Sequence, residues 1–256
     1  MLSDRQKSIL NALVEEYTEH GIPVASDLFS RKHGFSVSPA TIRNELAALE
    51  QAGYIAKPHT SAGRVPTDAG YRLYVNTVRE RSTKPAPKER QLARVIETSK
   101  DDAHVFARTL AKALADLSTE VAFVSIDADE LSYAGIAHLF EKPEFWSHDH
   151  ALTMTRVFDE LESAIPTLFS ECLPEPHALI GRENPLFQEC SVVMARYDTG
   201  EWEGLLGIVG PLRMHYAENI QLLETTKKLL DTYDRPTTNS KRRGHSASAA
   251  RRRRRA

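Results

Sequence analysis

Residues 38–75 read SPATIRNELAALEQAGYIAKPHTSAGRVPTDAGYRLYV, and the order of their signals decides the fold. Ser38 is placed to cap a helix, with Pro39 as its first residue, where a fixed φ suits the helix and the missing N–H has no partner to lose. Ile42, Leu46 and Leu49 fall on one face of that helix, and Gly53 closes it. YIAKP and RVPT then predict two short strands joined by HTSAG, followed by a helix from about Asp68 through Val78.

Upstream, Ser3 can cap a helix whose apolar positions Ile9, Leu10, Leu13, Val14 and Tyr17 keep helical spacing until Gly21 and Pro23 stop it. Ser26 starts a short second helix, SDLFSRKHG, ending at Gly34. Three helices followed by a small hairpin is the order of a winged helix-turn-helix, so residues 1–80 are expected to form one.

Downstream, RSTKPAPKER (81–90) has two prolines and no large apolar residue, and reads as a linker. Leu92, Val95 and Ile96 form the next helical stripe, and Asp101 or Asp102 can cap a helix burying Phe106, Leu110, Leu114 and Leu117. VAFVSI (121–126) reads as a buried strand, and Met154, Val157, Phe158, Leu161 and Ile165 as an amphipathic helix. PHALIGR, CSVVMARY and WEGLLGIVG read as three successive strands, the last two joined across Asp198-Thr199-Gly200. Tyr216, Ile220, Leu223 and Leu230 build a closing helix. Helices mixed with hairpin-linked strands make residues 91–234 an α+β domain rather than a doubly wound one. Residues 235–256 have almost no apolar content and end in five arginines, the composition of a disordered basic tail.

Charge is segregated along the chain. Residues 1–84 carry 11 basic and 9 acidic groups, residues 85–234 carry 13 and 26, and residues 235–256 carry 9 and 0. An acidic body with a basic piece at either end points to a polyanion touched at the ends. No apolar run approaches the ~20 residues needed to span a bilayer, and the start MLSDRQKS does not read as a signal peptide. A cytoplasmic protein with no membrane partner is therefore expected. Cys172 and Cys190 are too few and too far apart for a disulfide framework or a four-thiolate zinc site.

On the helix from Pro39, the face opposite the apolar one carries Ala40, Asn44, Ala47 and Gln51, with Thr41 and Arg43 on its flanks. The two alanines allow close approach to a groove floor, and Arg43 and Asn44 can make paired hydrogen bonds with guanine and adenine edges. Ser38 and Thr41 suit phosphate or thymine-methyl contacts. A solvated helix face would look much the same. The segment Lys57-Pro58-His59-Thr60-Ser61-Ala62-Gly63-Arg64 is small, polar and basic, fit to lie along a phosphate backbone or dip into a minor groove. It would equally serve as a polar turn.

These residues resemble a known family. The 38–75 stretch is similar to the N-terminal signature of the HrcA family of bacterial heat-inducible transcription repressors, as is the opening DRQKSILNALVEEYTEHGIPVAS. CSVVMARY and EGLLGIVGPLRMHYAENIQLLE (190–224) resemble that family's C-terminal strand pair and helix. The resemblance implies a winged-helix DNA-binding domain followed by a GAF-like regulatory and dimerisation domain (91–234). It further implies homodimers on double-stranded DNA at an inverted-repeat operator, the CIRCE element, upstream of chaperone genes, and dependence on a GroEL-type chaperonin. Carried over, the recognition helix is Pro39 to Gln51 and the wing is Lys57 to Arg64. The DNA-binding residues expected are Ser38, Ala40, Thr41, Arg43, Asn44, Lys57, His59, Thr60, Ser61 and Arg64. Family members are commonly longer between VAFVSI and YAGIAHLFEKPEF, and the poly-Arg tail is not a family feature.

Other chemistry is weakly signalled. His148-Asp149-His150 lacks the spacing of a helical zinc pair and has no third ligand nearby, so no metal is expected. Gly204, Gly207 and Gly210 lack the spacing of a dinucleotide-binding loop, and no cofactor is expected. Nor is there a nucleophile elbow or a P-loop, so no catalytic residue is assigned. Two other functions fit the same residues: a small-molecule-responsive winged-helix regulator, and a non-specific nucleic-acid coating protein driven by the tail, whose nine basic groups suit salt-dependent phosphate attraction.

Overall fold

A computed structural model describes the chain apart from residues 1, 33–34, 36, 61, 80–88, 100, 128–129, 144–145, 147, 186–187, 189, 201 and 233–256. Most of the expected linker and all of the tail from 235 thus lie outside the described residues. The class is the expected one, α+β, with a winged helix-turn-helix followed by a unit of mixed helices and sheet.

The N-terminal unit is built by its caps. Helix α1 (Asp4–His20) starts in a capping box: Ser3 Oγ accepts from the Gln6 N–H at 3.2 Å while Gln6 Oε1 accepts from the Ser3 N–H at 2.9 Å. It ends at Gly21, whose φ of 65° lets its N–H reach the Tyr17 carbonyl at 2.8 Å. Helix α2 (Ser26–Lys32) leads to α3 (Pro39–Gln51), where Ser38 is the cap and Pro39 stands in the first turn, as expected. A two-residue antiparallel pair, β1 (Ile55–Ala56) with β2 (Val65–Pro66), makes the hairpin. Helix α4 (Asp68–Arg79) is started by Thr67, whose hydroxyl accepts from the Gly70 N–H at 3.2 Å and donates to the Gly53 carbonyl at 2.7 Å. Ile9, Leu10, Leu13, Phe29, Ile42, Leu46, Leu49 and Tyr71 form the centre of this unit, each no more than 1% exposed.

The C-terminal unit has three layers. Helices α5 (Glu89–Ser99) and α6 (Ala103–Ser118) precede β3 (Val121–Ile126), β4 (Glu130–Ala134) and the short α7 (Ile136–Phe140). Next come α8 (His148–Glu171), β5 (His177–Ile180), β6 (Cys190–Asp198), β7 (Glu203–Pro211) and α9 (Tyr216–Asp231). The strands form one antiparallel sheet in the order β4-β3-β7-β6-β5. The two faces separate by the alternation of the pleat. Ala122, Val124, Val193, Ala195, Leu206 and Ile208 pack with residues of α5, α6 and α9, whereas Val121, Phe123, Val192, Met194, Leu205 and Val209 pack with Leu161, Ile165 and Leu168 of α8. Burial on both faces explains why these strands read as continuous apolar runs.

Four details differ from the sequence-based expectation. Glu89 and Arg90, read as linker, already belong to α5, since no helix breaker follows Pro87. The edge strand β4 and helix α7 carry no strong periodicity, and β4 is half polar. Helix α8 continues through the exposed Pro166 to Glu171 instead of ending near Ile165. Last, β6 and β7 close with Asp198 opposite Glu203, a longer connection than the three residues read as the turn. The glycines of β7 answer to packing: a Cβ on Gly207 would lie 2.0 Å from the Phe123 ring.

The two units share one core and a polar lock. Tyr71 of α4 packs on Tyr216 of α9 at 5.6 Å between ring centroids, and the buried Tyr216 hydroxyl hydrogen-bonds Ser191 at 2.6 Å. Arg72 Nε donates to Glu183 Oε1 at 3.0 Å, its second guanidinium nitrogen pairs with Oε2, and it also reaches the Ala178 carbonyl at 2.5 Å. Arg213 donates to the Thr18 carbonyl at 2.8 Å.

Burial alone would raise the Glu183 carboxyl, but the Arg72 guanidinium and the Ile180 N–H outweigh it and hold it below the ordinary value of 4.5. A depressed carboxyl contributes stability above its unfolded pKa and loses it as pH falls through the folded one. The lock should therefore weaken as pH drops below about 4.5. Urea midpoints measured from pH 6 to 3 should fall more steeply for the natural chain than for Glu183→Gln, and parallel curves would show that this pair does not couple to folding.

Candidate nucleic-acid interface

Helix α3 turns Ile42, Leu46 and Leu49 into the core, which leaves Ala40, Arg43, Asn44, Ala47 and Gln51 exposed along the opposite face. Ser38 Oγ accepts from the Thr41 N–H at 3.1 Å and shares a hydrogen bond with Thr41 Oγ1 at 2.9 Å. Both hydroxyls thus sit at the positive end of the helix, where an anion is favoured. Arg43 and Asn44 make no hydrogen bond or ion pair among the described residues. That contrasts with Arg5, which pairs with Glu45 at 2.9 Å, and with Arg72 in its lock.

The hairpin is braced from two sides. Its base is stitched to the turn after α1, with the Val24 N–H donating to the Arg64 carbonyl at 2.8 Å and the Arg64 N–H to the Val24 carbonyl at 2.9 Å. Only glycine fits beside this stitch, since a Cβ on Gly63 would lie 2.5 Å from the Pro23 carbonyl oxygen. The second brace is Glu50 at the end of α3, whose Oε2 lies 3.5 Å from Arg64 Nε and 3.8 Å from Lys57 Nζ.

The ten residues expected to meet DNA therefore divide. Ala40, Arg43, Asn44, Lys57, His59 and Thr60 are exposed, on one helix face and the hairpin tip. Ser38 and Thr41 engage one another at the helix start. Ser61 lies outside the described residues. Arg64 turns inward, its side chain 15% exposed, and serves as an anchor of the hairpin. Sequence reading missed Glu45, Glu50 and Arg72, because each meets a partner that only folding brings near. Of the remaining candidates, Cys172 and Cys190 are both buried and unpaired by disulfide. The side chains of His148-Asp149-His150 are outside the described set, and no group of three or more potential metal ligands occurs among the described residues. No helix among the described residues is long and apolar enough to cross a membrane.

Replacing Glu50 tests the brace. Glu50→Gln removes a negative charge near the interface, which favours any DNA, and also releases Lys57 and Arg64, which blurs the hairpin's aim. The ratio of specific to random-sequence affinity should fall several-fold at nearly unchanged melting temperature. An unchanged ratio in a competition titration would mean that the hairpin is aimed without Glu50.

Comparison with known proteins places both units. The family profile of HrcA protein C terminal domain matches residues 75–220, and that of LexA DNA binding domain matches residues 1–63. A heat-inducible transcription repressor HrcA of Streptomyces avermitilis is 44% identical over 124 residues, 48% of this chain and 36% of that protein. The one from Thermobifida fusca is 43% identical over 143 residues, covering 54% and 40%. The chain thus spans well under half the length of the curated relatives it matches. The crystal structure of a hypothetical protein at 2.2 Å resolution shares the fold at TM-score 0.74 and 20% identity, covering 91% of this chain and 98% of that one.

Proposed function

This chain belongs to the HrcA family, and on that premise we propose that it is a sequence-specific transcriptional repressor that binds double-stranded DNA as a homodimer at an inverted-repeat operator of the CIRCE type, upstream of chaperone genes. The observation that carries the reading is the exposed face of α3, where Arg43 and Asn44 are committed to no partner among the described residues, beside a hairpin braced by Glu50. The helix enters a major groove, Ala40 and Ala47 permit close approach, and Arg43 and Asn44 read base edges. Ser38, Thr41, Lys57, His59, Thr60 and Ser61 meet the flanking backbone, and Arg64 aims the hairpin. Residues 91–234 carry dimerisation and the response to heat, through a GroEL-type chaperonin that maintains the active fold. Work on chromosomal DNA in a bacterium places the protein in the cytoplasm.

Footprinting on fragments of the source genome tests this reading. Protection should appear as two related half-sites centred about one helical turn, or a multiple of it, apart. Adding a GroEL-type chaperonin should raise the active fraction in the same titration. Deleting residues 236–256 should reduce affinity at low salt while leaving the protected pattern intact. Uniform retention of all fragments, lost on that deletion, would replace a repressor with a coating protein.

A further inference from the structure

Helix α1 ends against a residue of the other unit. The last carbonyls of a helix find no N–H within it and need partners from outside. Arg213, in the loop between β7 and α9, supplies one, its guanidinium donating to the Thr18 carbonyl at 2.8 Å. The same group packs against Gly21, where a Cβ would lie 3.2 Å from both Cζ and Nε of Arg213. A cation there also suits the negative end of the helix dipole. Arg213 is itself held on both sides. Met214 is 1% exposed, and the Leu212 carbonyl accepts from the Tyr216 hydroxyl at 2.7 Å. That hydroxyl also shares a hydrogen bond with Ser191 of β6, so the sheet of the second unit fixes where the guanidinium stands.

Only Ile22 and Pro23 separate Gly21 from the stitch that holds the hairpin. Ile22 precedes a proline and Pro23 has a fixed φ, so neither has much backbone freedom. Val24 then exchanges both of its backbone hydrogen bonds with Arg64, and the backbone of Gly63 lies against Pro23. A displacement of Gly21 is therefore carried to the base of the hairpin rather than absorbed in the turn. We infer that Arg213 is a positioning residue for DNA recognition: held by the sheet of the second unit, it fixes residues 21–24 and, through them, the aim of the hairpin. A shift of β7 or α9 thus reaches Lys57, His59 and Thr60 without touching the exposed face of α3. A residue that merely glued the two units together would act through their docking, as the Arg72–Glu183 pair does.

Hydrogen exchange and DNA titration of the full chain separate the two roles, using Arg213→Ala, the milder Arg213→Gln, and Glu183→Gln as the variant that loosens the seam elsewhere. Both Arg213 variants should exchange the Val24 and Arg64 amide protons several-fold faster while the amides of α3 keep their protection. Glu183→Gln should leave Val24 and Arg64 as they are in the natural chain. On DNA, the ratio of specific to random-sequence affinity should fall several-fold with Arg213 replaced and hold with Glu183→Gln. The salt dependence on random DNA should not change, because Arg213 meets no phosphate. Unchanged exchange at Val24 and Arg64, an equal loss of the ratio in Glu183→Gln, or a flatter salt slope would each overturn the positioning role. That role rests on the repressor reading, and the two fail differently. A natural chain with no preference for any DNA sequence refutes the repressor, whereas unchanged exchange in the Arg213 variants refutes the positioning of the hairpin while the natural chain's preference stands.

Discussion

Lys142→Met is expected to destabilise the fold by about 3–5 kcal/mol, because it strands a buried charge. Glu120, between α6 and β3, is 1% exposed, and its Oε1 is paired with the ammonium of Lys142, itself only 18% exposed. Its Oε2 has no hydrogen-bond partner. Gly210 on β7 leaves room for this carboxylate, since a Cβ there would lie 2.4 Å from Oε2. With Lys142 gone, Glu120 must stay ionised with that ammonium lost or take up a proton, and either choice disfavours the folded state. A second change separates the net worth of the pair from the damage of breaking it. Glu120→Leu combined with Lys142→Met should recover much of the loss, since an apolar replacement of both partners is often neutral. Urea melts of the two variants and the natural chain measure this directly. A single variant within about 1 kcal/mol of the natural chain would place the pair among surface pairs of little worth.

Arg43→Ala should cost about 1–3 kcal/mol on the specific operator, roughly five- to 150-fold in affinity, and little on random DNA. The side chain is exposed and uncommitted among the described residues, so its removal leaves the core of the N-terminal unit unchanged and the melting temperature near its starting value. Equal losses on both DNAs in parallel titrations would remove Arg43 from base reading and leave it a phosphate contact. Arg64→Ala makes an informative contrast. Composition alone suggests a phosphate ligand whose loss flattens the salt dependence. Its inward position beside Glu50 suggests instead that both DNAs bind more weakly, through a misaimed hairpin, with the salt slope unchanged.

Local order was legible in the residues. Ser3, Ser38 and Asp102 stand where caps are needed, Gly21 where a left-handed residue is needed, and each helix begins or ends there for that reason. The outward set on α3 followed from the 3.6-residue period once Ile42, Leu46 and Leu49 were assigned to the core. Strand β4 was not legible, because an edge strand that pairs on one side only needs neither an apolar run nor clean alternation. Helix α8 was underestimated past Pro166 because a proline on an exposed face can sit within a helix at a cost that surrounding burial offsets.

The sequence by itself determined most of the helices and their caps, the class of the fold and the face of α3 that meets solvent, since these depend largely on contacts a few residues apart. Tertiary structure alone decided which charged groups are spoken for. Glu50 holds Lys57 and Arg64 across a hairpin, and Arg72 reaches Glu183 more than a hundred positions away. Electrostatic partnership depends on distance in space and on burial, and neither can be read from spacing along a chain that has still to fold.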